Sequence, residues 1–125
     1  MNKTLSSSHY LTVKKNDHVS TLEIPVLSYS HFYTVVAELL QKPGNHCTLY
    51  TAHAEDGDRI KFICYIQNDL DQEIKILSHE LPTEGRKQLV SLSKDFLSIS
   101  PFENEIAKNF GIDFLYLNAS NPQRS

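Results

Sequence analysis

The chain has 125 residues, 22% of them charged, and a formal net charge of −3 with its six histidines neutral. That length suits one domain with one core, and the acidic balance offers neither the basic footprint of a nucleic-acid binder nor an attraction to anionic lipid. Two cysteines are too few for a disulfide scaffold, and no apolar run approaches the roughly 20 residues of a membrane span, so direct membrane insertion is not expected.

Residues 1–8 read as a flexible N-terminus without the apolar stretch of a signal peptide, 9–116 as a single α+β domain, and 117–125 as a flexible tail. Partial alternation predicts short strands at 9–15 and 19–24. From 29 to 42 the apolar residues Phe32, Val35, Val36, Leu39 and Leu40 recur at three and four, which predicts an amphipathic helix. Ser28 or Ser30 can cap its start, and Pro43-Gly44 can end it.

Three strands are expected next, at 46–54, 59–67 and 72–81, as an antiparallel meander with the helices packed on one face. Asp56-Gly57 is a hairpin signal. A two-residue loop there sets Cys47 opposite Ile66, Leu49 opposite Cys64, Thr51 opposite Phe62 and His53 opposite Ile60 on one face, with Tyr50, Ile63 and Tyr65 on the other. Cys64 then lies diagonal to Cys47. Both read as small buried hydrophobes; an unstrained disulfide across the hairpin stays open without being indicated, and two sulfurs alone are weak evidence for a metal. Residues 83–97 read as a short strand or loop followed by one helical turn.

The segment "SISPFENEIAKNFGIDF", 98–114, carries a full set of helix signals. Ser100 is a candidate cap, Pro101 suits the first turn, and Glu103 completes a capping box. Phe102, Ile106 and Phe110 face one way, and Gly111 suits a left-handed C-terminal position from which Ile112 can fold back. Together they predict a helix over 101–110. Glu103 and Glu105 are two apart and so fall on different helix faces, which argues against a close acid/base pair and for structural or surface roles.

No constellation carries chemistry. The histidines lack metal-ligand spacing, and neither a Gly-rich phosphate loop nor a nucleophile elbow is present. The sequence points to no catalytic, cofactor-binding or metal residues. Arg86, Lys87 and Lys94 form a small basic group, read as solvated surface or as a dock for an acidic partner. A small enzyme would need a pocket gathering polar groups such as His53 and His79 with a carboxylate.

The stretch from Ser91 to Phe114 resembles the signature region of the thirty-kilodalton subunit family, found in the peripheral arm of respiratory complex I. That family includes the N-terminal domain of large subunits in nickel–iron hydrogenases of the formate-hydrogenlyase type. Ser91-Leu92, the aromatic Phe102, the two glutamates Glu103 and Glu105, and Phe110-Gly111-Ile112 carry the likeness. The order of helix, hairpin and third strand extends it over about residues 30–114. Asn104 stands where the family has Arg and Lys108 where it has Asp, and the usual Gly-His after Phe114 is missing.

The resemblance implies a two-layer α+β domain without iron–sulfur cluster, flavin or nickel of its own. It implies a non-catalytic structural or assembly role in a membrane-associated NADH:quinone oxidoreductase or hydrogenase complex of the respiratory chain. There the domain would dock the large hydrogenase-type or quinone-module subunit and the iron–sulfur subunits through the motif residues Phe102, Glu103, Glu105, Phe110, Gly111 and Ile112. Its expected place is cytoplasmic, held peripherally at the membrane through partner subunits. The alternative is a free-standing protein-binding or regulatory module that keeps the fold and has lost the complex.

Overall fold

The computed structural model describes residues 9–14, 17–20, 23–55, 57–85 and 87–116. The expected terminal segments 1–8 and 117–125, together with Asp56 and Arg86, lie outside the described residues.

The strands are β1 (Leu11–Lys14), β2 (Val26–Leu27), β3 (Asn45–Glu55), β4 (Arg59–Asn68), β5 (Glu73–Pro82), β6 (Gln88–Val90) and β7 (Asp113–Leu115). The helices are α1 (Tyr29–Leu40) and α2 (Ser100–Phe110), with 3-10 turns at Leu92–Lys94 and Leu97–Ile99 ahead of α2. The fold is α+β, as the sequence predicts. β3, β4 and β5 form the antiparallel meander, and the sheet runs β1-β5-β4-β3. A small parallel pair, β6-β7, stands apart from it.

The N-terminal pairing differs from expectation. β1 lies antiparallel to β5 over Glu73–Ile76, while the second strand is displaced from 19–24 to Val26–Leu27 and runs parallel to β5 at Ser78 and His79. Pro25 sits at the junction and has no N–H to give a ladder. Its carbonyl accepts from both the backbone N–H and the hydroxyl of Ser78, at 3.1 and 2.8 Å, so pairing starts one residue later. Ile24 is buried instead in the core cluster behind the sheet.

The central hairpin keeps the expected Cys47–Ile66 pair and corrects the expected register from Leu49 onward. Its loop has three residues, closing with Glu55 opposite Arg59, and the register slips at Thr48, between the Cys47–Ile66 pair and the Leu49–Tyr65 pair. A slip of one residue sends every side chain to the other face. Tyr50 therefore stands opposite Cys64, Ala52 opposite Phe62 and Ala54 opposite Ile60. Tyr50 joins the helix-covered core and does not share a face with Ile63 and Tyr65. The Thr48 hydroxyl donates to the Tyr65 carbonyl at 3.3 Å and ties down the bulge.

Strand alternation divides the core. Ile60, Phe62, Cys64 and Ile66 of β4 meet Phe32, Val35, Val36 and Leu39 of α1 and Ile106 of α2. Behind the sheet, Ile63 packs with Leu11, Val13, Ile24 and Ile76. Each fully buried aliphatic or aromatic side chain of this kind contributes about 1.5–3 kcal/mol. The α1 stripe is the predicted one, with Leu40 only partly buried, and the Ser28 hydroxyl accepts from the His31 N–H at 3.3 Å as its cap. No helix among the described residues is long and apolar enough to cross a membrane.

Candidate functional site

The turn after β6 and the start of α2 converge on Glu103. The predicted capping box is not formed. The Leu97–Ile99 turn runs straight into α2, so Ser100 already has helical dihedrals and its side chain caps nothing. Glu103 reaches out of its own helix to the turn at Leu92–Lys94. Its carboxylate accepts from the Ser91 hydroxyl at 2.5 Å, the Leu92 N–H at 2.7 Å and the Ser93 N–H at 3.3 Å. The Ser91 oxygen also accepts from the Ser93 N–H at 3.0 Å and lies 2.6 Å from the Ser93 hydroxyl. Free N–H groups at the start of a helical turn favour an anion, which explains why a carboxylate is tolerated there. Glu103 and Ser91 are both fully buried. A serine beside a carboxylate has the elements of a nucleophile and base, but no solute can reach this pair. The arrangement is a clamp between two segments twelve residues apart.

Tyrosines roof the clamp. Tyr29 donates to the Val90 carbonyl, and Tyr33 donates to the Asp95 carboxylate at 2.6 Å, with the Ser91 carbonyl 3.4 Å away. Burial, then the nearby Glu103 charge, pushes the Tyr29 hydroxyl well above its ordinary range. Tyr33 is raised by burial and by its bond to Asp95, and that same bond draws Asp95 below the usual carboxylate range. Lys94 lies 6.0 Å from the centre of the Tyr33 ring and 3.3 Å from Asp95. Outside this layer Tyr29, Ser30, Tyr33, Val90 and Lys94 line an open groove of about 360 Å³. Val90 is partly exposed there, and Leu97 in the following turn is 61% exposed.

Of the six residues expected to form the docking motif, Glu103 enters the clamp, where it meets Ser91 and Leu92. Phe102 and Phe110 pack half-buried against the core, and Ile112 lies within it. Gly111 ends α2 at φ 66°, and its N–H bonds the Ala107 carbonyl at 2.9 Å, as its predicted left-handed role requires. Glu105 faces solvent and accepts from the Asn109 amide at 3.3 Å, so the two glutamates do point apart. Asn104 bonds the Ser100 hydroxyl at 3.4 Å. Of the small basic group, Arg86 lies outside the described residues, Lys87 turns back to the Thr83 carbonyl at 3.0 Å, and exposed Lys94 lies 3.3 Å from Asp95.

The histidines are not brought together. His53 is beside Lys61 on the rear face, 3.5 Å from Glu55, whereas His79 is fully buried on the helix side. His79 stacks on Phe62 at 4.3 Å between centroids and meets Phe32 and Tyr29 edge-on. Its Nε2 is 2.9 Å from the Tyr50 hydroxyl, and its Nδ1 has no hydrogen-bond partner among the described residues. Burial pulls its pKa down to about 3, so it is neutral at physiological pH. Among the described residues no group of three His, Cys, Asp or Glu is placed to hold a metal ion.

The sequence reading missed Ser91, Tyr29, Tyr33 and Asp95 as members of one site. The signal for Ser91 was its position two residues before Ser93, the spacing of a hydroxyl-capped turn. The tyrosines carried none. Comparison with family models, curated proteins and solved structures finds no match to this chain.

Proposed function

We propose that this chain is a non-catalytic docking domain of a membrane-associated oxidoreductase, either an NADH:quinone oxidoreductase or a nickel–iron hydrogenase complex. It contacts the large hydrogenase-type or quinone-module subunit and the iron–sulfur subunits, and through them lies peripherally on the cytoplasmic face of the membrane. One observation carries this reading. The motif glutamate Glu103 is consumed inside the protein, where it fixes the Ser91–Lys94 turn against α2. Lys94 of that turn and Val90 just before it line the groove beside Tyr33, and Leu97 is exposed in the following turn. A side chain spent in this way orients a surface and performs no reaction.

The test is affinity purification of the tagged full chain from native membranes in mild detergent, with mass spectrometry of what accompanies it. Large and cluster-bearing subunits are expected, and Val90→Glu should lower their recovery at least tenfold at unchanged thermal stability. Recovery of the chain without either subunit overturns the proposal. Two observations favour the second reading, a free-standing module: Asn104 bonds within its own helix, and Lys108 is exposed where the family carries an acid. Capture of a soluble partner alone would select it.

A further inference from the structure

Cys47 on β3 and Cys64 on β4 are both free, with their sulfurs 3.8 Å apart. They sit diagonally across the strand pair, Cys47 opposite Ile66 and Cys64 opposite Tyr50, and both turn to the helix side of the sheet. The register slip at Thr48 lies directly beside Cys47. Among the described residues β3 is paired on one side only, since it forms the margin of the sheet. A disulfide needs its sulfurs at about 2.05 Å, so the pair must close by less than about 2 Å, through the side chains and the strand able to yield most easily. The two thiols are unequal. Cys47 is partly open to solvent and Cys64 is fully enclosed.

We propose that Cys47 and Cys64 are a reversible redox pair that closes a disulfide between β3 and β4 by exchange with a small-molecule disulfide such as oxidised glutathione. Cys47 is the attacking thiol. Its hydrogen bond from Cys64 favours the thiolate and lowers its pKa, while that same bond and burial raise the pKa of Cys64. The Cys47 thiolate attacks one sulfur of oxidised glutathione, forming a mixed disulfide and releasing one glutathione as thiolate, which takes up the proton Cys47 gave to solvent. The Cys64 sulfur then attacks the Cys47 sulfur. The second glutathione leaves, taking the Cys64 proton. Two protein thiols are oxidised and one glutathione disulfide is reduced to two thiols. Among the described residues no third ligand joins the pair, so the geometry suits sulfur exchange better than metal binding. Closing the bridge pins β3, the strand against which α2 packs. The pair is independent of the docking proposal and stands or falls separately.

The experiment equilibrates the full-length folded chain with graded ratios of oxidised to reduced glutathione. Free thiols are then trapped with an alkylating agent, and the products are mapped by mass spectrometry. Both thiols should disappear in step, with a Cys47–Cys64 linked peptide and no accumulating mixed disulfide. The oxidised chain should show an unfolding constant lower by on the order of a hundredfold, as closing a loop of this length implies. Cys64→Ala should stop at a glutathione adduct on Cys47, and Cys47→Ser should leave Cys64 as a thiol. A wild-type chain that accumulates the Cys47 adduct with Cys64 still free overturns the proposal. So does one that links between chains, or whose cysteines stay unreactive while folded.

Discussion

Two buried titratable groups share this core and are treated in opposite ways. Glu103 is surrounded by donors: a serine hydroxyl and two backbone N–H groups, with a second serine beside them. His79 is surrounded by rings, has one polar neighbour at Nε2, and leaves Nδ1 without a hydrogen-bond partner among the described residues. The first environment solvates a charge with protein; the second forbids one. A buried acid with its bonds complete holds two chain segments in register, whereas a buried base with one bond missing makes the fold sensitive to protons.

The largest expected effect breaks the Glu103 side. Glu103→Ala strips the buried Leu92 N–H of its acceptor. It also removes the carboxylate's bonds to the Ser91 hydroxyl and the Ser93 N–H, which each keep a neighbouring serine oxygen. Together these should cost about 3–5 kcal/mol. A loss of that size lowers the thermal midpoint by roughly 10–20 °C in a domain of this length. Glu103→Gln keeps the shape and one acceptor and should lose about half as much. A Glu103→Ala chain melting within a few degrees of wild type would show that the clamp is incidental.

The second effect tests the His79 side by pH. In the folded chain His79 stays neutral down to about 3, whereas an unfolded histidine takes a proton near 6.5. Between those values the unfolded state binds one more proton, so stability is complete above the upper value and falls as the pH drops towards the lower one. The slope is about 1.4 kcal/mol per pH unit at its steepest, giving a loss of roughly 2 kcal/mol from pH 7 to pH 5. Urea titrations of wild type and His79→Phe across that range should differ by about one proton in slope. Equal slopes would mean that His79 titrates normally in the fold.

The smallest effect sharpens the clamp. Ser91→Ala removes one hydroxyl but leaves Glu103 its two N–H donors, so a loss of about 1 kcal/mol is expected in the same urea titration. A loss as large as that of Glu103→Ala would move the weight of the site from the carboxylate to the serine.

Much of the scaffold was legible because its signals are local. The stripe from Phe32 to Leu39 specifies a helix that must be covered by a sheet or another helix, and Gly111 marks the end of α2 through its backbone alone. The hairpin was visible from its Asp-Gly, but that pair serves loops of either two or three residues. One residue of difference was enough to move Tyr50 off the face it was expected to share with Ile63. The capping box failed for a related reason. Ser100 and Glu103 fit the pattern, yet Glu103 had better donors at Leu92 and Ser93, which a window of four residues does not contain. Tyr33 and Asp95 lie 62 residues apart, and no periodicity announces their bond.

The outer margin of β5 is covered by two short pieces of chain running in opposite directions, one of four residues and one of two. Their partner is made late: Lys14 must wait for Glu73, 59 positions further along. During synthesis, which proceeds from the N-terminus, the first strands therefore emerge with nothing to join. The helix and the three-stranded meander can assemble from nearby contacts first, and the opening of the chain closes the sheet last.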